Sequence, residues 1–149
     1  MPDLHILYLA LGANIGDREQ TMNRAIELIE GAVGTVVRRS SFIETEPWGF
    51  LSSNRFINAV VCVHTALSPF EVLRATQNIE KQLGRTVKSS GGEYHDRPID
   101  IDNLLYDDIH VDTPELCIPH PLMHERDFVM VPLREIMDGE GCIYEYKGR

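Results

Sequence analysis

Two aspartates stand one residue apart in Asp100-Ile101-Asp102, inside a run of strand-forming residues. Alternate residues of a strand share a face, so both carboxylates project together while Ile99 and Ile101 point the other way. Adjacent carboxylates repel each other unless a cation lies between them. Mg²⁺ is the natural candidate, because it binds through a few carboxylates and completes its shell with phosphate oxygens and water. Taken alone, Asp-x-Asp is more often a solvated strand face. Here cationic residues cluster around it: Arg97 lies just upstream, with Arg85 and Lys88 in the segment before it, and Pro119-His120-Pro121 and Arg126 follow. A carboxylate-held Mg²⁺, arginines on phosphate oxygens and a closing loop are the parts that phosphoryl transfer requires.

Other candidates carry less on their own. The prolines flanking His120 restrict its backbone, which suits a donor to phosphate. His64 falls in a strand and reads as a packing residue; His95, His110 and His124 read as surface or loop, and no pair of histidines has metal-ligand spacing. Gln77 and Glu80 share one side of a helix, where by themselves they predict a solvent-facing pair. Leu11-Gly12-Ala13-Asn14-Ile15-Gly16-Asp17 is a strand-to-helix turn without the Gly-Lys-Ser/Thr of a P-loop. It reads as a tight connection lining a pocket.

The elements that must position these residues follow from periodicity. Leu4 to Gly12 reads as a strand, and Asp17 with Gln20 caps a helix over about 17–31 in which Met22, Ile26, Ile29 and Val33 recur at helical spacing. Thr35 to Thr45 and Arg55 to Thr65 read as the next two strands, the latter with Phe56, Asn58 and Val60 on one face. Ser68-Pro69-Phe70-Glu71 is a strong helix start, and Gly84 a stop. The polar segment Arg85 to Pro98 reads as a mobile loop. Ile99 to Tyr106 returns to strand, Ile109 to Val111 reads as its hairpin partner, and Phe128 to Met137 as a final helix. The order β-α-β-β-α-β resembles a split βαβ, ferredoxin-like α+β sandwich with additional C-terminal elements. That topology says nothing about function.

Length and composition set the outer bounds. The 149 residues favour one domain over 1–149, and 43% apolar residues are those of an ordinary globular chain. A net charge of −9 argues against a nucleic-acid partner. No apolar run approaches a membrane span, and the N-terminus lacks the basic start and apolar stretch of a signal peptide. The three cysteines, Cys62, Cys117 and Cys142, are scattered and odd in number, which fits a reducing cytoplasm and neither a disulfide framework nor a zinc site.

Together the segments resemble the 6-hydroxymethyl-7,8-dihydropterin pyrophosphokinases of folate biosynthesis. The resemblance runs through Leu11 to Arg18, Glu44-Thr45-Glu46-Pro47-Trp48-Gly49, Phe56 to Val60, Gln77 to Glu80 and Leu83-Gly84-Arg85. Its most specific piece is Asp96-Arg97-Pro98-Ile99-Asp100-Ile101-Asp102, followed by Ile118 to Met123 and Arg126-Asp127-Phe128. The resemblance implies transfer of the β,γ-diphosphate of ATP to the pterin's hydroxymethyl group, with release of AMP. It implies that Asp100 and Asp102 hold two Mg²⁺ ions, and that Arg85, Lys88, Arg97, His120 and Arg126 contact phosphates. Gln77 and Glu80 would lie along the nucleotide, and Thr45, Trp48, Phe56, Asn58 and Phe128 would form the pterin site. Some positions depart from the pattern: Val87 replaces a basic residue, Ser89 to Gly92 is a small insertion, Tyr94 stands for a loop tryptophan and Ala13 for a serine. Two rivals share the fold expectation. A two-metal nucleotidyl transferase or cyclase would release diphosphate, and a non-catalytic module would bind ATP without turnover.

Overall fold

A computed structural model describes residues 4–45, 55–84 and 99–137. Trp48, Arg85, Lys88, Arg97, Val87, Tyr94 and the Ser89–Gly92 insertion lie outside them, as does the expected loop Arg85 to Pro98. The element order is β1 (His5–Ala13), α1 (Arg18–Ala32), β2 (Thr35–Arg39), β3 (Ile43–Thr45), β4 (Phe56–Thr65), α2 (Pro69–Gln82), β5 (Asp100–Tyr106), β6 (Val111–Asp112), β7 (Cys117–Ile118), a short 3₁₀ turn (Met123–Glu125) and α3 (Asp127–Met137). The main sheet runs β2-β4-β1-β5 with every pairing antiparallel, and β3 also pairs with β4. This is the ferredoxin-like α+β arrangement expected from the sequence.

Both sheet faces are covered, which is why β1 is buried almost along its length. Leu7, Leu9 and Leu11 pack with Val61, Val63 and the buried residues of α1 and α2; Tyr8 and Ala10 pack with Val60, Cys62 and the α3 residues Val129, Leu133 and Ile136. The additional C-terminal element is thus the third layer. Local chemistry fixes the helix starts: Asp17 accepts from the Gln20 N–H at 3.1 Å, and Ser68 with Glu71 forms a reciprocal capping box. Gly84, at φ +102°, sits where the stop was expected. Among the described residues, no helix is long and apolar enough to cross a membrane.

Two expectations are corrected. The strand expected over Thr35 to Thr45 is broken into β2 and β3, because Ser40 turns its side chain inward: its Oγ accepts from the Val60 N–H at 2.9 Å. Ile109 to Val111 is not the hairpin partner of β5; Val111 and Asp112 pair with Ile118 and Cys117 instead. Asp107 diverts the chain. It adopts φ +49°, accepts from the Ile6 N–H at 2.7 Å and bonds His5 Nδ1 at 2.7 Å, which ties the end of β5 to the start of β1.

Candidate active site

The register of β1 assembles the site. Gly12 lies opposite Asn58 on one side and Asp100 on the other, and Ala10 lies between Val60 and Asp102. Cross-strand partners share a face, so Asn58-Gly12-Asp100 and Val60-Ala10-Asp102 form adjacent rows on the face that α3 partly covers. The two carboxylates therefore project together, as the spacing predicted. The sequence reading placed Gly12 both at the end of the first strand and in the tight connection that follows. The structure puts it inside β1, where a Cβ would stand 3.0 Å from Asn58 Oδ1 and 3.5 Å from Phe56 Cδ1. Gly12 and Ala10 thus form a floor of small, buried residues between Asn58 and the aspartates.

Three of the expected pterin residues meet beside that floor. Thr45 is the cross-strand partner of Phe56, and Asn58 Nδ2 donates to Thr45 Oγ1 at 2.6 Å. Asn58 is 5% exposed, so the bond fixes its amide in place. Phe128, half-buried at the start of α3, packs against the cluster on the same face and carries the Arg126 guanidinium 5.6 Å from its ring centre. Neither Phe56 nor Phe128 is sealed in the core.

On the other side of the carboxylates a cleft of about 270 Å³ runs along β5, the edge strand. Gln77 and Glu80 from α2 line it together with Asp100, Asp102 and His120, so most of the described phosphate- and nucleotide-site candidates converge there. Leu73, Thr76, Asn103, Glu115, Leu116 and Cys117 also line the cleft. Sequence reasoning did not single these out; the β6–β7 hairpin that brings three of them in was the misassigned element.

Glu80 overturns its expected exposure, being only 3% exposed. Its Oε2 accepts from the Ile101 N–H at 2.8 Å, the peptide between the two aspartates. An edge strand presents main-chain donors away from the sheet, and Glu80 satisfies one at the point where the carboxylates must be held.

Arg126 is also buried, 8% exposed, with Nη1 3.9 Å from Asp102 Oδ2. His120 donates its main-chain N–H to Leu104 O at 3.0 Å, which ties it to β5. Burial, and after it the Arg126 charge, pushes the imidazole down to about 4, against a smaller upward pull from Asp100. The ring is therefore neutral at pH 7. Its Nδ1 accepts from the Leu122 N–H at 3.3 Å, leaving the proton on Nε2 as a donor.

The described residues hold no cluster of three or more metal-ligating side chains. The carboxylate pair nevertheless suits Mg²⁺, which takes one or two protein carboxylates and draws its other ligands from substrate phosphates and water. Cys62 is buried in β4 and Cys117 lies in β7, neither in a disulfide.

Comparison with known proteins identifies the family. The family model described as 7,8-dihydro-6-hydroxymethylpterin-pyrophosphokinase (HPPK) matches residues 8–138. A 2-amino-4-hydroxy-6-hydroxymethyldihydropteridine pyrophosphokinase of Porphyromonas gingivalis is 52% identical over 132 residues, covering 88% of this chain and 90% of its own. The enzyme of that name from Bacillus subtilis is 44% identical, covering 89% of this chain and 78% of its own. Among solved structures, wild-type Plasmodium falciparum HPPK-DHPS with pteroate superposes with a TM-score of 0.73 at 16% identity, over 97% of this chain. This chain spans only 40% of that longer one, and the likeness bears on the fold. The chain belongs to the 7,8-dihydro-6-hydroxymethylpterin-pyrophosphokinase family, the ATP-dependent transferases of folate biosynthesis.

Proposed function

We propose that this chain transfers the β,γ-diphosphate of ATP to the hydroxymethyl group of 6-hydroxymethyl-7,8-dihydropterin, with Asp100 and Asp102 as the Mg²⁺ ligands at the junction of two substrate sites. The observation that carries this reading is the position of the pair. The carboxylates line the cleft along the sheet edge and share a sheet face with the Gly12–Asn58 row, so a triphosphate in the cleft would meet a hydroxymethyl group held beside that row. Mg²⁺ bound there would neutralise charge on the phosphate oxygens and orient them.

The chain's own groups do the rest. The pterin lies against the Gly12 floor, with its polar edge toward the Asn58 amide and the Thr45 hydroxyl, which offer both donors and acceptors. Phe56, Phe128 and Trp48 supply flat apolar surface for the heterocycle. In the cleft, Leu73, Ile101 and Leu116 wall the base, Gln77 lies alongside the nucleotide, and His120 and Arg126 donate to phosphate oxygens. Arg85, Lys88 and Arg97 add cationic donors, on the sequence motif alone. The hydroxyl is a weak nucleophile, so holding it in line with the β-phosphorus is the main source of rate. We place this chemistry in the cytoplasm, where free thiols stay reduced.

The test is an assay with ATP and Mg²⁺, with and without the pterin. Pterin-dependent AMP, matched by a pterin diphosphate, is the expected result. Release of free diphosphate without pterin would reject it in favour of nucleotidyl transfer.

Glu80 acts in this reading by holding the strand that carries the metal ligands. Partners of this kind are worth about 10–100-fold in metal affinity or activity. Glu80→Ala is therefore expected to raise the Mg²⁺ concentration for half-maximal turnover by about that factor. Glu80→Gln, which keeps an acceptor for Ile101, should lie within a few fold of wild type. Equal behaviour of the two variants in a Mg²⁺ titration would reject the role.

A further inference from the structure

Arg18 stands in the first turn of α1, where a cation opposes the positive end of the helix dipole. Its guanidinium serves two strands at once. Nη1 donates to Arg55 O at 2.7 Å, and Nη2 donates to Glu44 Oε2 at 3.0 Å. The Arg55 guanidinium adds a looser contact, with Nη1 3.7 Å from Glu44 Oε1. Glu44 lies in β3 directly before Thr45, and Arg55 directly before Phe56, the first residue of β4. The planar fork of one arginine therefore holds together the two positions that precede the Thr45–Phe56 pair.

These contacts lie behind the sheet. Alternate residues of a strand point to opposite faces. Thr45 shares its face with Phe56 and with Asn58, from whose Nδ2 its hydroxyl accepts at 2.6 Å. Glu44 points the other way: its cross-strand partner Ile57 packs in the cluster that holds the buried residues of α1 and α2. Arg18 thus reaches Glu44 from the helix layer, on the side of the sheet opposite Asn58. β3 has three residues, and so short a strand has few ladder bonds to hold its register. A one-residue slip would turn Thr45 away from Asn58. An exposed ion pair contributes little to stability, so the consequence of this one lies in where it sets β3.

We propose that Arg18 is a positioning residue for pterin binding, which fixes Thr45 and Phe56 from the rear of the sheet through Glu44 and the Arg55 carbonyl. The inference rests on the pterin reading of the Thr45–Asn58 face and adds a determinant outside it. The experiment is calorimetric titration of 6-hydroxymethyl-7,8-dihydropterin into wild type, Arg18→Met, Glu44→Ala and Glu44→Gln. Saturating Mg²⁺ and an α,β-methylene analogue of ATP, which cannot be cleaved, are present throughout. The Mg²⁺-analogue complex is titrated separately, and melting temperatures are recorded alongside. Arg18→Met and Glu44→Ala are each expected to weaken pterin binding about tenfold, the scale of one hydrogen bond made by a charged group. Glu44→Gln keeps an acceptor for Arg18 and should stay within about threefold of wild type. Analogue affinity should hold within about twofold in every variant, and melting should fall by no more than about 4 °C. A general loosening of the fold would weaken both ligands together. Glu44 is exposed, so its variants decide the matter if Arg18→Met does not fold. Unchanged pterin affinity in folded Arg18→Met or in Glu44→Ala, or equal losses for pterin and analogue, overturns the role of Arg18 and leaves the pterin reading standing. A wild type that does not bind the pterin overturns that reading itself.

Discussion

Asp100→Ala and Asp102→Ala are each expected to lower pterin-dependent turnover by about 10²–10³-fold, the scale seen when a preorganised electrostatic group is removed from a reacting centre. The fold should survive both changes. Each carboxylate is partly exposed on a strand face rather than packed in the core, and the pair are like charges in adjacent rows of one face. Removing one relieves repulsion, so Asp100→Ala should melt within a degree or two of wild type. Asp102→Ala should melt somewhat lower, because Arg126 lies 3.9 Å from Asp102 and is itself buried. The decisive control is ligand-induced stabilisation. Mg²⁺-ATP should raise the melting temperature of wild type, as any ligand selective for the native state does, and should do so much less for either variant. Normal Mg²⁺-dependent turnover in either would remove the metal assignment.

Gly12→Val is expected to weaken pterin binding by about 10²-fold while leaving Mg²⁺-ATP affinity within a few fold. The first methyl-bearing carbon would already stand 3.0 Å from Asn58 Oδ1. The Asn58 amide is not free to retreat, since it is buried and bonded to Thr45 at 2.6 Å. Valine's two further carbons would then occupy the floor on which the heterocycle is proposed to lie, and misplacement by about 1 Å can cost 10²-fold. Valine favours strand conformation, so the sheet should form. Separate titrations with pterin and nucleotide distinguish this from a general loss of structure. Retained pterin affinity would show that the ligand does not use this face.

The aspartate pair was legible in the sequence because its meaning is local. An Asp-x-Asp on a strand predicts one face, and Ser68-Pro69-Phe70-Glu71 predicts a helix start; both appear as read. Asn58 and Phe56 were likewise placed on one strand face by alternation. What could not be read was set by register and edge. Gly12 gains its importance only from facing Asn58 and Asp100, residues far away in the chain, and no local pattern encodes that pairing. Glu80 has the helical position of a solvent-facing residue, and only the presence of β5 beside α2 turns it into an acceptor for Ile101. The missed hairpin has the same origin. Ile109 to Val111 has strand character, but the clamp of Asp107 onto Ile6 and His5 sends it to a different partner.

The placement of the floor on β1 also bears on how the activity can be lost. Cooperative opening spares central strands until the whole domain unfolds, and β1 is hydrogen-bonded on both sides and covered on both faces. Gly12 and Asn58, on the central strands β1 and β4, therefore belong to the last unit to exchange its amide hydrogens with water, whereas the aspartates sit on the edge strand β5, which can open ahead of it. Partial unfolding of a terminus or a surface turn leaves that floor intact, so the shape of the binding face persists for as long as the native state does.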